Sequence, residues 1–150
     1  MKLETLLKLQ SFCAYQERCI KEVRDKLKRL KVEPQYFNSI ISSLVNDNYL
    51  NEDRFVKSFV SDKIRLNKWG KVKIRYELLK KQIPESLINK QLSEIDEDTY
   101  TNLIQDTINK KLKEFPQPLS PKDRNKLIRQ LLSKGFEPTL IQNSMDDFTL

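Results

Sequence analysis

A chain of 150 residues makes one domain or a short array of small ones, and 33% charged residues with only two glycines exclude a turn-rich sheet protein in favour of helices. No stretch approaches the roughly 20 apolar residues of a membrane span, and Met1 to Gln10 carries three charges where a secretion signal needs an apolar run. A cytoplasmic protein away from membranes is expected, and 28 lysines and arginines against 21 acidic residues, a net +7, favour a polyanion or an acidic protein surface as partner.

In chain order, an amphipathic segment near Leu3 to Tyr15 predicts an added helix that caps the first helical unit. Cys13 and Cys19 lie six apart in sequence that reads as helix, where their side chains diverge too far to bridge, so both are expected as reduced thiols at or near the core. From Val23 onward the chain repeats. Moved forward by 51 residues without gaps, Val23, Leu27, Val32, Tyr36, Phe37 and Ile41 fall on Ile74, Leu78, Ile83, Leu87, Ile88 and Leu92. Moved by 104, the same columns fall on Leu127, Leu131, Phe136, Leu140, Ile141 and Met145. A fixed period of this length is the mark of stacked helical units.

In each copy the first helix ends near Val32, Ile83 or Phe136, and Pro34, Pro84 or Pro138 opens the second, as suits a residue without an N–H. The first copy's second helix carries Phe37, Ile40, Ile41, Leu44 and Val45 at core-facing spacing. A third helix starts with Asn51 as N-cap and Glu52 and Asp53 in its first turn, and buries Phe55, Val56, Phe59, Val60 and Ile64. The second copy's equivalent runs from about Asp96 through Ile104 and Ile108 to Phe115, and Pro116, Pro118 and Pro121 read as a linker. The expected fold is all-α: tandem three-helix repeats over 1–66, 67–115 and 116–150, the last truncated, in an elongated and slightly curved molecule.

Catalytic chemistry finds little support. The chain has no histidine, which removes the usual general base and the commonest transition-metal ligand. Two cysteines at this spacing make no zinc site, and Gly70 and Gly135 make no phosphate loop, so neither metal nor cofactor is expected. Glu52/Asp53 and Asp96/Glu97/Asp98 sit where helices begin, and carboxylates there are favoured by the helix dipole without further role. Asp146/Asp147 read as part of a frayed end. The expectation is a binding protein and not an enzyme.

Two segments carry a family resemblance. Asn48-Tyr49-Leu50-Asn51-Glu52-Asp53-Arg54-Phe55, followed by Phe59, is similar to the Gly-Tyr-Leu-Asp-Asp-x-x-Phe-Ala stretch of the RecX family. Lys68-Trp69-Gly70-Lys71-Val72-Lys73-Ile74-Arg75, leading to Leu78 and Lys81-Gln82-Ile83, resembles that family's Lys-Gly-x-x-x-Ile-x-x-x-Leu-x-x-Lys-Gly-Ile. Arg18 to Leu27 and Leu131 to Phe136 add support. Asn48 and Gln82 stand where the family has glycine, Asn51 where it has aspartate, and Val56 where it has alanine. The resemblance implies a regulatory protein in the groove of a RecA filament on single-stranded DNA, with duplex DNA as a further ligand. It modulates strand exchange and RecA's ATP turnover, inhibition being the expected direction, with a place in DNA repair and recombination. Two other classes stay open from the residues alone: a nonspecific DNA-binding repeat protein without a recombinase partner, and a helical scaffold for another acidic protein.

The binding surface is expected where charge concentrates. From Arg54 to Lys81 ten basic residues face only Asp62 and Glu77, a local balance of +8. The candidate contacts are Lys63, Arg65, Lys68, Lys71, Lys73, Arg75, Lys80 and Lys81 around Trp69, joined by Arg18, Lys21 and Arg24 of the preceding copy, in a protein expected to act as a monomer. Trp69 fits a base-stacking platform, an anchor in a protein pocket and a core residue equally well. Lys110, Lys111 and Lys113 form a lesser patch.

Overall fold

The apolar columns fix the architecture by meeting one another. The computed structural model describes residues 3–148, and among them are nine α-helices, one short 3-10 turn and no strand. The helices are α1 Leu3–Tyr15, α2 Ile20–Arg29, α3 Phe37–Asn46, α4 Glu52–Arg65, α5 Lys71–Lys80, α6 Glu85–Ser93, α7 Glu97–Leu112, α8 Pro121–Ser133 and α9 Pro138–Phe148; the 3-10 turn, Pro34–Tyr36, leads into α3. Val23, Leu27, Ile74, Leu78, Leu127 and Leu131, the first two columns of the repeat, are all completely buried. The column of Tyr36, Leu87 and Leu140 stays at the rim.

The ends of α2, α5 and α8 show the repeat at backbone level. Lys31, Gln82 and Gly135, related by the same two shifts, all have positive φ, at 60°, 61° and 94°. In each, the next N–H reaches back five residues: Val32 to Leu27 O, Ile83 to Leu78 O and Phe136 to Leu131 O, at 3.1, 3.2 and 3.3 Å. These are three copies of one Schellman stop, which satisfies carbonyls that the helix leaves unpaired.

The three apolar cores, however, phase the repeat one helix earlier than boundaries at 66 and 115 would. The first core joins residues of α1, α2 and α3 with Leu50; the second joins α4, α5 and α6; the third joins α7, α8 and α9. Within each unit the first helix packs on the third, α1 on α3, α4 on α6 and α7 on α9. So α1 is the first helix of the first unit and not an added cap, and the third group has all three helices. The proline-rich stretch lies inside that third unit, between α7 and α8. A period tells how far apart equivalent residues are, but not where packing cuts it.

Local expectations fare unevenly. Asn51 caps α4, its side chain accepting the Arg54 N–H at 3.0 Å, and Asn48 takes the left-handed conformation. Asp96 caps α7 by accepting the Thr99 N–H at 2.9 Å. Cys13 and Cys19 are free and buried, but the helix between them is broken: α1 ends at Tyr15, and Cys19 precedes α2 and packs into the second core. Val45 is exposed, because α3 buries only the narrower stripe of Phe37, Ile40, Ile41 and Leu44. Phe59 is half-buried at the edge of the second core, against Phe55 and Trp69, and not at its centre. Asp146 belongs to α9 and not to a frayed tail; its carboxylate lies 3.7 Å from Arg124 and accepts from Gln142 at 3.0 Å.

The units join through polar contacts and a few shared apolar side chains, Cys19 of the first unit in the second core and Ile64 and Ile95 against both the second and the third. Between the first and second, the Ile20 N–H donates to Glu52 at 3.0 Å, Arg54 to Glu17 at 3.0 Å and Lys81 to Glu22 at 3.2 Å. Between the second and third, the chain's two glycines lie back to back: a Cβ on Gly70 would stand 2.2 Å from the Gly135 oxygen. The molecule exposes 9523 Å², against about 8,000 Å² expected of a compact monomer of this mass, as an extended row of small units requires.

Candidate nucleic-acid and filament interface

The junction of the second and third units is where charged and aromatic side chains converge. Its scaffold is the segment after α4, where Lys68 takes a positive φ of 58° and turns the chain so that the Trp69 N–H reaches Lys63 O at 2.9 Å. Gly70 then donates to Lys134 O at 2.7 Å, and Val72 to Gly135 O at 2.9 Å. Only glycines allow this approach, since a Cβ on Gly135 would stand 2.3 Å from Lys73 Cβ. Lys31 and Gln82 occupy the same helix stop without glycine because their corners face solvent.

Buried Tyr100 completes the joint. Its hydroxyl accepts the Lys71 N–H at 2.9 Å and donates to the Glu137 carboxylate, tying the starts of α5 and α9 to α7. Burial, and then the hydrogen bond to Glu137, push its phenol well above the ordinary tyrosine range.

On this joint sit the lysines. The ammonium groups of Lys63 and Lys73 lie 4.7 and 4.5 Å from the Trp69 ring centroid, and that of Lys71 lies 4.7 Å from the Tyr100 ring. Such cation–π contacts hold like charges together that would otherwise spread into solvent. Trp69 itself is half-buried, set edge-on to Phe59 with 6.4 Å between centroids, and packs against the second core. It is therefore the ring on which two lysines are mounted.

Beside it, Lys68, Lys110, Lys111, Lys113 and Lys134 line a groove of about 480 Å³, with Asp106 and Glu114 as its carboxylates. Lys134 donates to Asn67 O at 2.9 Å. Its ammonium is held below the ordinary lysine range, first by burial and then by Lys111, Lys73 and Lys68. The lysines that add to the effect of burial mark a concentration of positive charge that an anion would relieve.

Of the residues singled out in the sequence, Lys63, Lys68, Lys71, Lys73 and Trp69 are brought to this junction. The others are engaged or placed elsewhere. Arg18 donates to Phe12 O at 2.9 Å and lies 3.7 Å from the Phe12 ring centroid, bracing the corner between α1 and α2. Lys21 pairs with Asp25, Arg65 with Asp62, Lys80 with Glu77 and Lys81 with Glu22. Arg24 is exposed on α2, and Arg75 borders a separate groove between α5 and α6. Lys134 and Tyr100 were not visible as site residues; the only sequence signal for Lys134 is its place before Gly135 in the Leu131 to Phe136 motif. Among the described residues no three of histidine, cysteine, aspartate and glutamate are grouped as metal ligands, and no helix is long and apolar enough to cross a membrane.

Comparison with known proteins gives one answer. Residues 51–92 match the model of the second three-helix domain of RecX, and 98–145 that of the third, in agreement with the phasing of the cores. The chain is 31% identical over 147 residues to the regulatory protein RecX of Clostridium beijerinckii, covering 90% of this chain and 68% of that one. It is 28% identical over 124 residues to that of Streptococcus gordonii, covering 82% of this chain and 47% of that one, so it spans about half the length of such relatives. The crystal structure of RecX from Lactobacillus salivarius superposes with a TM-score of 0.84 at 23% identity, over 96% of this chain and 94% of that one. The repeat, the motifs and these likenesses agree, and the chain belongs to the RecX family.

Proposed function

We propose that this protein is a regulatory, non-catalytic ligand of the RecA filament on single-stranded DNA, which in the cytoplasm lowers the filament's recombinase and ATPase activity. The observation that carries the reading is the gathering of Lys68, Lys110, Lys111, Lys113 and Lys134 along one groove, where burial and then the charges of Lys111, Lys73 and Lys68 hold the Lys134 ammonium below its ordinary range. An array of this kind is suited to phosphates, whose neutralisation releases counterions and supplies salt-dependent affinity. The row of three units supports a partner that is itself long, and the relatives' name, regulatory protein RecX, supports a regulatory role.

The test is co-sedimentation with RecA, with and without single-stranded DNA and a nonhydrolysable ATP analogue. The proposal expects retention on the assembled filament well above that on DNA alone. Equal retention on bare DNA would favour a nonspecific DNA-binding role, and none on the filament would overturn the proposal.

A further inference from the structure

Helix α5 is apolar on two faces. Ile74 and Leu78 fill the second core, yet Val72, Tyr76 and Leu79, spaced i, i+4 and i+7 on the other side, are 51%, 61% and 40% exposed. The repeat supplies its own control. The gap-free shifts that align the buried columns place these three residues on Lys21, Asp25 and Lys28 of α2 and on Asn125, Arg129 and Leu132 of α8. Only Leu132 of those six is apolar, so the helix pair does not need apolar side chains there. A stripe that the fold does not require, in the central unit alone, is the signature of a contact surface.

We infer that the outer face of α5 is a protein-docking surface, and that its occupant is an apolar patch rimmed by carboxylates on the recombinase protomers of the filament. The rim carries the charge argument: Lys71 and Arg75 flank the stripe, while Glu77 is neutralised by Lys80 at 3.4 Å and so does not oppose them. Lys80, so paired, lies 5.2 Å from the Tyr76 ring centroid and braces the exposed ring. A groove of about 480 Å³ alongside, bordered by Val72, Arg75 and Asn89, gives an incoming side chain somewhere to seat. Tyrosine and arginine are the residue types enriched at the energetic centres of protein interfaces. This assignment rests on the proposed function and divides its labour: the lysine cluster holds phosphate, and the outer face of α5, carrying Val72, Tyr76 and Leu79, holds protein.

The experiment replaces the stripe with neutral polar residues, Val72→Asn, Tyr76→Gln and Leu79→Gln together, so that net charge is unchanged. Binding to the RecA filament and to single-stranded DNA alone is measured for both proteins, with thermal melting and sedimentation velocity. The expected result is unchanged melting and unchanged affinity for bare DNA, with filament affinity down by about tenfold or more. Wild-type and variant filament affinities equal within twofold would overturn this inference and leave the proposed function standing. A wild-type protein that does not bind the filament would overturn both. A wild-type dimer that dissociates in the variant would assign the face to a second copy, against the inference. If the triple variant melts early, Tyr76→Gln alone is used, with the same readings.

Discussion

The junction of the second and third units makes a sharp demand on one residue. In Gly135→Ala, a side chain must occupy a backbone at φ 94°, which costs an L-residue about 1 to 2 kcal/mol. The new Cβ would also lie 2.3 Å from Lys73 Cβ and 2.6 Å from Lys73 N, so the first turn of α5 has to retreat. With it go the bonds from Gly70 to Lys134 O and from Val72 to Gly135 O, each contributing about 0.5 to 1.5 kcal/mol. The sum, about 2 to 5 kcal/mol, is a large part of the roughly 5 to 15 kcal/mol that holds a small protein folded. The control is Gln82→Gly, at the equivalent, solvent-facing stop. There the substitution relieves about 1 to 2 kcal/mol of left-handed strain and costs about 0.5 to 1 in backbone entropy, so stability should stay level or rise by about 1 kcal/mol. Urea melts of both variants provide the numbers. A Gly135→Ala protein within about 0.5 kcal/mol of wild type would refute the claim that these two backbones meet in contact.

Two further outcomes follow from buried groups. Tyr100→Phe removes the hydroxyl between Lys71 N–H and Glu137 and should cost about 1 to 3 kcal/mol by urea melt. Because the folded phenol titrates above its ordinary range, its contribution is complete below the unfolded value of about 10 and is lost as pH rises above it; the Phe variant should lose that part of the alkaline sensitivity. Cys19, buried and with its thiol pushed up to about 11, and buried Cys13 should both resist a disulfide reagent at pH 8 until the protein is unfolded, when two thiols react. Fast labelling of either in the native protein would contradict the packing at the α1–α2 corner.

The core was legible in the sequence because burial needs only a period, and Val23, Ile74 and Leu127 keep it without a gap. The phasing of units was not, since an uninterrupted period can be cut anywhere until α1 is seen to pack on α3. The edges of stripes were also beyond reach: Val45 and Phe59 satisfy helical spacing, and only the neighbouring helices decide that one is exposed and the other half-buried. The +8 segment is not one free patch. Arg54, Arg65, Lys80 and Lys81 spend their charge on Glu17, Asp62, Glu77 and Glu22. The side chains that gather instead are Lys68 and Lys73 with Lys111 and Lys134, which come from the α4–α5 connection, α5, α7 and the end of α8 and become neighbours only because Gly70 and Gly135 let two units touch.

The central claim is that this cluster holds the protein on the recombinase filament. RecA-dependent ATP hydrolysis on single-stranded DNA, titrated with wild type and with Lys68→Ala, Lys111→Ala and Lys134→Ala combined, tests it most directly. Wild type should slow hydrolysis; the variant should melt within a few degrees of wild type, since only one hydrogen bond, from Lys134 to Asn67 O, is lost, at about 0.5 to 1.5 kcal/mol, and the mutual repulsion of the three ammonium groups is lost with it. It should need about tenfold more protein for the same effect, and its binding to DNA alone should have a log–log salt slope shallower by roughly 2. A variant that matches wild type at physiological salt, or a wild type that leaves hydrolysis unchanged, would contradict the account.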